Sequence, residues 1–278
     1  MKRFFFYFLL IILSLNISAC KGEKKDFIEV FAGSASKPAL DEIAGNFERE
    51  TGIEVRRVYG GSGSVLSSMI MSGRGDIYLP GSHDFMDIAV EKGIADKNTI
   101  RIIAYLVPVI AVQKGNPLNI RNLEDLLRKD VSFAVGNPAT VCVGLYAVEV
   151  FEKAGLAAPL RKKVSTYAEN CEKTATLITL KAVDAVIGWD VFGRWNLEEI
   201  DIVKIDKQFV QRSAYIPAAV TQITKKKANA EKFMEYLISE KGRSIYRKAG
   251  YIVSDDELIS KFGPLKTGGS YTLHDSWK

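Results

Sequence analysis

Val30-Phe31-Ala32-Gly33-Ser34-Ala35-Ser36-Lys37-Pro38 runs from an apolar strand through a small Gly/Ser turn into the start of a helix. Pro38 suits the first helical turn and Ser36 the cap before it. Leu40, Ile43, Ala44 and Phe47 then fall on one apolar helical face, and Gly52 suits its stop. Tyr59-Gly60-Gly61-Ser62-Gly63-Ser64 repeats the pattern, with Ser64 as the cap of a helix carrying Val65, Leu66, Met69 and Ile70. A helix start carries backbone N–H groups without intrahelical partners and a partial positive charge. Two such starts, both studded with hydroxyls, make a ready site for a small oxyanion.

Working outward, strands and helices alternate, which argues for α/β layers. Strands are predicted over 28–33, 53–59, 76–79, 131–135 and 183–189. Helices are predicted over 83–92, 122–129, 140–153, 169–180, 228–239 and 240–249. The tail after Ser254 has little periodicity. Two apolar stretches, 102–113 and 215–220, contain Pro108 and Pro217. Proline removes a ladder donor, so each reads as a strand at an edge or a crossing. The expected division is one lobe over 28–106 and 217–278 and a second over 107–216. A cleft between two lobes is a favoured ligand site.

At the front, Lys2 and Arg3 precede an apolar run over 4–13, then Ile17-Ser18-Ala19-Cys20. This reads as a signal peptide over 1–19. The run is too short to favour a spanning helix. Its Ile-Ser-Ala-Cys ending resembles a bacterial lipobox, with Cys20 lipidated as the first mature residue. An ordinary signal peptide with a coincidental cysteine is the plainer alternative. Residues 20–27 form a charged tether. Loss of the leader removes Lys2 and Arg3 from a formal charge of +5. The mild excess that remains gives no sign of nucleic acid binding. Cys142 and Cys171 are left as a disulfide candidate or as two buried thiols.

The chain resembles the substrate-binding proteins of molybdate and tungstate ABC importers over nearly its whole mature length. The likeness rests on Phe31-Ala32-Gly33-Ser34 before Pro38, on Phe47-Glu48-Arg49-Glu50-Thr51-Gly52-Ile53 and on Gly60-Gly61-Ser62-Gly63. It continues in Gly75-Asp76-Ile77-Tyr78-Leu79-Pro80-Gly81, in the run from Pro108 to Pro117, and in Gly136-Asn137-Pro138. It implies the type II periplasmic binding protein fold: two α/β lobes, each a mixed sheet flanked by helices, joined by two crossover strands. It also implies an anion held by neutral hydrogen bonds from four loops. These are Ser34, Ala35 and Ser36; Ser62, Gly63 and Ser64; the helix start at Cys142 and Val143; and the one at Asn170 and Cys171. Trp189 stands where the family often has a tyrosine, and Ala35 separates Ser34 from Ser36 where an ungapped match expects serine. The match sets Cys142 and Cys171 in the two second-lobe loops, where a disulfide would fix them.

Donor-only lining suits fully ionised molybdate, tungstate or sulfate, which only accept. Partly protonated phosphate needs an acceptor, which Asp190 offers unless it is a structural turn residue. Catalysis has little support. The histidines, His83 and His274, show no triad spacing. Gly61-Ser62-Gly63-Ser64 is neither a nucleophile elbow nor a P-loop. No residue cluster has metal-ligand spacing. The expectation is a monomeric lipoprotein of the cell envelope, without cofactor, that delivers its anion to a membrane ABC permease. Another small anion, or presentation to a membrane sensor, is the alternative.

Overall fold

The computed structural model describes residues 26–277. The expected leader, Cys20 and the tether before Asp26 lie outside the described residues. The strands are β1 (Phe27–Gly33), β2 (Glu54–Gly60), β3 (Ile77–Leu79), β4 (Arg101–Leu106), β5 (Pro108–Gln113) and β6 (Phe133–Gly136). They continue with β7 (Thr166–Ala168), β8 (Ala185–Trp189), β9 (Ile200–Lys204), β10 (Arg212–Val220) and β11 (Lys266–Thr267).

Two mixed sheets result. The first runs β11-β10-β3-β1-β2, with β4 also on β10. Its β1, β2 and β3 are parallel, and β10 is antiparallel to β3 and β4. Buried Ile28, Val30, Phe31 and Ala32 make β1 a near-continuous apolar strand, as a strand covered on both faces requires. The second sheet runs β7-β6-β8-β5-β9. Parallel strands end where helices begin, so helix starts collect along one rim of each sheet. Those rims face one another.

The predicted strand over 102–113 is two strands in two sheets, broken at Val107. Pro108 opens β5, where its missing N–H costs nothing. The second handover falls between Lys204 and Arg212. Pro217 is not a crossing: it lies inside β10, at a register shift beside Ile216 that accommodates its missing donor. The predicted helix over 122–129 is a 3-10 turn, Glu124–Leu127. There Asn122 Oδ1 accepts from Asp125 N (3.0 Å) and Asp125 Oδ2 from Arg121 N (2.7 Å), a capping pattern, but Arg128 turns extended after one turn and ends it. The tail is more ordered than its periodicity implied. Ser254 caps a helix, Asp255–Phe262, accepting from Glu257 N, while Glu257 reaches back to Val253 N. Leu258 and Trp277 are buried in the core of the second sheet.

Behind the cleft, Arg212 at the start of β10 is buried against Asp84 (2.8 Å) and Glu149 (2.9 Å), one from each lobe. Its Nη1 donates to Gly269 O at 2.8 Å. Removing one partner from such a buried group leaves a charge uncompensated, which is costly. At the first handover, Asp190 N donates to Val107 O and Asp190 Oδ1 accepts from Val107 N, both at 2.9 Å. Asp190 is thus the structural residue of the two expected alternatives, pinning the junction of the sheets. Burial pushes its carboxyl up to about 7, against the opposing pull of the Val107 N–H and Lys261.

An acid raised by folding keeps its proton in the native state where the unfolded chain has lost it. That stability is complete below the ordinary carboxylate range and is lost as pH rises through about 7. Asp190→Asn keeps an acceptor for Val107 and removes the titration. Urea unfolding midpoints across pH should show a decline of up to about 4 kcal/mol between roughly pH 4 and 7 in the parent. The variant should lack that decline; an unchanged one would assign it elsewhere.

Candidate functional site

The first loop is a single 3-10 turn, Ser34–Ser36, leading into the helix Lys37–Thr51. Ser36 stands at the cap position with Pro38 behind it, yet its side chain makes no capping bond. Its buried hydroxyl lies beside the Tyr246 hydroxyl of the same lobe. Ser34 is buried, and its Oγ accepts from Glu172 N across the cleft at 3.1 Å. The Ala35 carbonyl accepts from the Tyr251 hydroxyl at 2.5 Å.

The second loop starts a helix one turn position earlier than predicted. Gly61, not Ser64, is the cap of Ser62–Ser72. That places Ser62 inside, buried, and Ser64 on the exposed face. Ser62 Oγ accepts from Gly81 N at 3.0 Å, and its carbonyl accepts from Tyr78 at 2.9 Å. Gly63 N donates to Thr140 O of the other lobe at 2.9 Å. A Cβ on Gly61 would meet Glu169 O at 2.7 Å and Thr140 O at 2.8 Å. Glycine is therefore what lets the two lobes touch backbone to backbone.

The second lobe contributes two helix starts. Cys142 and Val143 open Cys142–Lys153, and Cys171 opens Cys171–Thr179, capped by Asn170 Oδ1 on Lys173 N (2.8 Å). Cys142, Val143 and Cys171 are all buried. The expected disulfide is not formed: both cysteines are free thiols, Sγ to Sγ 3.6 Å. Trp189 ends β8, buried edge-on against Tyr146 at 5.1 Å, with its indole N–H beside the Cys142 sulfur. Burial alone would raise both thiols. For Cys142 this is outweighed by Cys171, Trp189, Ser62 and the Val143 N–H, which hold it below the usual thiol range. Cys171, donating toward that sulfur, is pushed well above it.

The structure thus brings Ser34, Ala35, Ser62, Gly63, Val143, Cys171 and Trp189 to the closed cleft, sets the Ser36 hydroxyl beside Tyr246 within the first lobe, and leaves Ser64 outside. Sequence reasoning missed Gly81 and Ser82, which precede the helix His83–Glu91. Ser82 Oγ is buried without a partner. The signal was present: β3 followed by Gly-Ser and a helix repeats the pattern of the first two loops. Lys37 does not face the cleft centre; it pairs with Glu172 at 3.0 Å, both partly exposed. Such a pair contributes little to stability.

A cavity of about 280 Å³ reaches Ser34 from the surface between Asp41, Glu172 and Trp195. Larger cavities of about 690 and 750 Å³ lie behind the junction of the sheets, around Lys204 and Phe262. They hold none of the converging donors, so cavity size does not mark the candidate site. Among the described residues no cluster of His, Cys, Asp and Glu could hold a metal ion, and no helix is long and apolar enough to cross a membrane.

Ser62→Ala deletes the acceptor of a buried N–H. Its expected cost is about 1–3 kcal/mol in chemical unfolding. A neutral result would mean that Gly81 N finds another partner.

The sequence profile of the family described as bacterial extracellular solute-binding protein matches residues 28–252. The molybdate-binding protein ModA of Escherichia coli (strain K12) is 23% identical over 233 residues, covering 81% of this chain and 89% of its own. The periplasmic molybdate-binding protein of Azotobacter vinelandii superposes with a TM-score of 0.71 at 20% identity, over 82% of this chain and all of that one. The sulfate-binding protein SubI of Mycobacterium tuberculosis H37Rv gives 0.75 at 16% identity, over 87% and 94%. The architecture is the two-lobe, type II periplasmic binding protein fold. With its profile matched from β1 almost to the tail, the chain belongs to the bacterial extracellular solute-binding protein family.

Proposed function

We propose that this chain is an extracytoplasmic solute-binding lipoprotein of an ABC importer, capturing molybdate or tungstate between its lobes. The observation that carries the reading is the convergence of neutral donors. Ser34 and Ser62 on one lobe face the helix starts at Val143 and Cys171 and the Trp189 indole on the other. Among the described residues the nearby cations are paired elsewhere, Lys37 with Glu172 and Arg212 with Asp84 and Glu149. Hydroxyl and N–H donors hold a fully ionised tetrahedral anion without admitting every anion that a formal cation would attract. The relatives include both molybdate and sulfate binders, so sulfate on the same donors is the second reading.

Binding works by differential affinity. The contacts Ser34–Glu172, Gly63–Thr140 and Lys37–Glu172 exist only with the cleft shut. An anion touching both lobes adds to them and shifts the population toward the closed form. That form would dock on a membrane permease. Export and attachment through lipidated Cys20 would keep a monomer at the membrane surface; one acyl-bearing cysteine is a workable anchor where several chains are attached.

Thermal unfolding of a soluble form without the anchor cysteine, residues 21–278, with molybdate, tungstate, sulfate and phosphate in turn tests the reading. A ligand at 100 times its Kd stabilises by about 2.7 kcal/mol. Molybdate or tungstate should raise the midpoint by several degrees, and Ser34→Ala should lower affinity about tenfold or more. A shift with sulfate alone would change the substrate. No shift with any of the four would sink the oxyanion reading.

A further inference from the structure

We propose that Cys142 and Cys171 are a redox-responsive pair set into the anion cradle, and that joining them as a disulfide tightens the site for a dianion. This rests on the oxyanion reading above. The two sulfurs are 3.6 Å apart, so a small side-chain rotation brings them to bonding distance. Each residue is the first of its helix, where the N-terminal partial charge favours the thiolate that attacks a disulfide. Cys142 also occupies contested ground. Ser62, Trp189 and the Val143 N–H surround its sulfur, and these are the groups assigned to the anion. A sulfur there takes up donors, and where it ionises it also repels a second negative charge. A disulfide is neutral, and forming it turns the Cys142 sulfur toward Cys171.

The thiols are hidden by the opposite lobe. A Cβ on Gly81 would sit 2.5 Å from Cys142 Sγ, and Ser62 lies beside it. Both cysteines are almost wholly buried, at 1% and 2% exposure, so an oxidant reaches them only with the cleft open. The chemistry is thiol–disulfide exchange with a small disulfide, oxidised glutathione serving as the probe. The Cys142 thiolate attacks one glutathione sulfur and expels a thiolate. Cys171 then loses its proton and attacks the Cys142 sulfur of the mixed disulfide, expelling the second. One protein disulfide forms, one glutathione disulfide is reduced, and the two cysteine protons end on the two glutathione thiols.

The exported protein, equilibrated with reduced or oxidised glutathione, is mapped by mass spectrometry and titrated with molybdate. The expected result is a Cys142–Cys171 bridge in the oxidised sample and a Kd about tenfold or more lower than in the reduced one. Saturating molybdate should slow bridge formation. Cys171→Ser, confirmed folded by its unfolding transition, should show one Kd under both conditions. Mixed disulfides or free thiols without the bridge would overturn the proposal whatever binds. So would a bridge that leaves the Kd unchanged. Should the bridge form while neither state binds any of the four oxyanions, the ligand assignment fails and the affinity control falls with it, though the thiol chemistry stands.

Discussion

Helix starts must place their first N–H groups somewhere, and this molecule turns that obligation into its central contact. The turn at Ser34–Ser36 and the helices beginning at Ser62, His83, Cys142 and Cys171 bring their open ends to one cleft. Some of those groups are satisfied across it. Glu172 N reaches Ser34, Gly63 N reaches Thr140 O, and Gly81 N is held by Ser62 within its own lobe. The Ser82 hydroxyl is buried without a partner, and the Trp189 indole meets only the weak acceptor Cys142 sulfur. Buried polar groups are costly when unpaired. The anion proposed above would offer acceptors to donors that the fold leaves weakly met.

The scaffold around the cleft handles charge differently from the cleft itself. Formal charges are placed at the rear, where Arg212 joins Asp84 of one lobe to Glu149 of the other and His83 stacks on Tyr215 at 4.7 Å. Asp190 follows Trp189 directly and ties Val107, so the end of the donor-bearing strand and the junction between the sheets share one hydrogen-bonded corner. A shift at that corner reaches the site through a single peptide. Keeping ions out of the front and fixing them at the back separates recognition from alignment.

Much of this was legible in the residues because it depends on local rules. The strand–Gly/Ser–helix units at Ser34 and Ser62, the glycine stops and the paired α/β layers follow from periodicity and turn chemistry. The short 3-10 turn at Glu124–Leu127 was misread because Asn122 and Asp125 carry a capping pattern, while Arg128 leaves helical geometry one turn later. The tail helix escaped notice, although Ser254 and Glu257 carry a capping pattern, because its apolar face meets the core at few positions. Pro217 was placed at a crossing because a missing donor marks an interruption without saying which kind; here it is a register shift.

By itself the sequence determined the α/β class, the two hydroxyl-bearing loops and the placement of Cys142 and Cys171 near helix starts. These are matters of residue type and short spacing. Only the tertiary structure decided that Ser62 turns inward and Ser64 outward. A helix that begins at Gly61 rotates each later residue by a set angle, and the first position depends on how closely Glu169 and Thr140 approach that glycine. Tertiary packing likewise brought Gly81 and Ser82 to the site and set the two thiols 3.6 Å apart. Contacts between residues far apart in the chain follow from how the sheets stack, which no local pattern specifies.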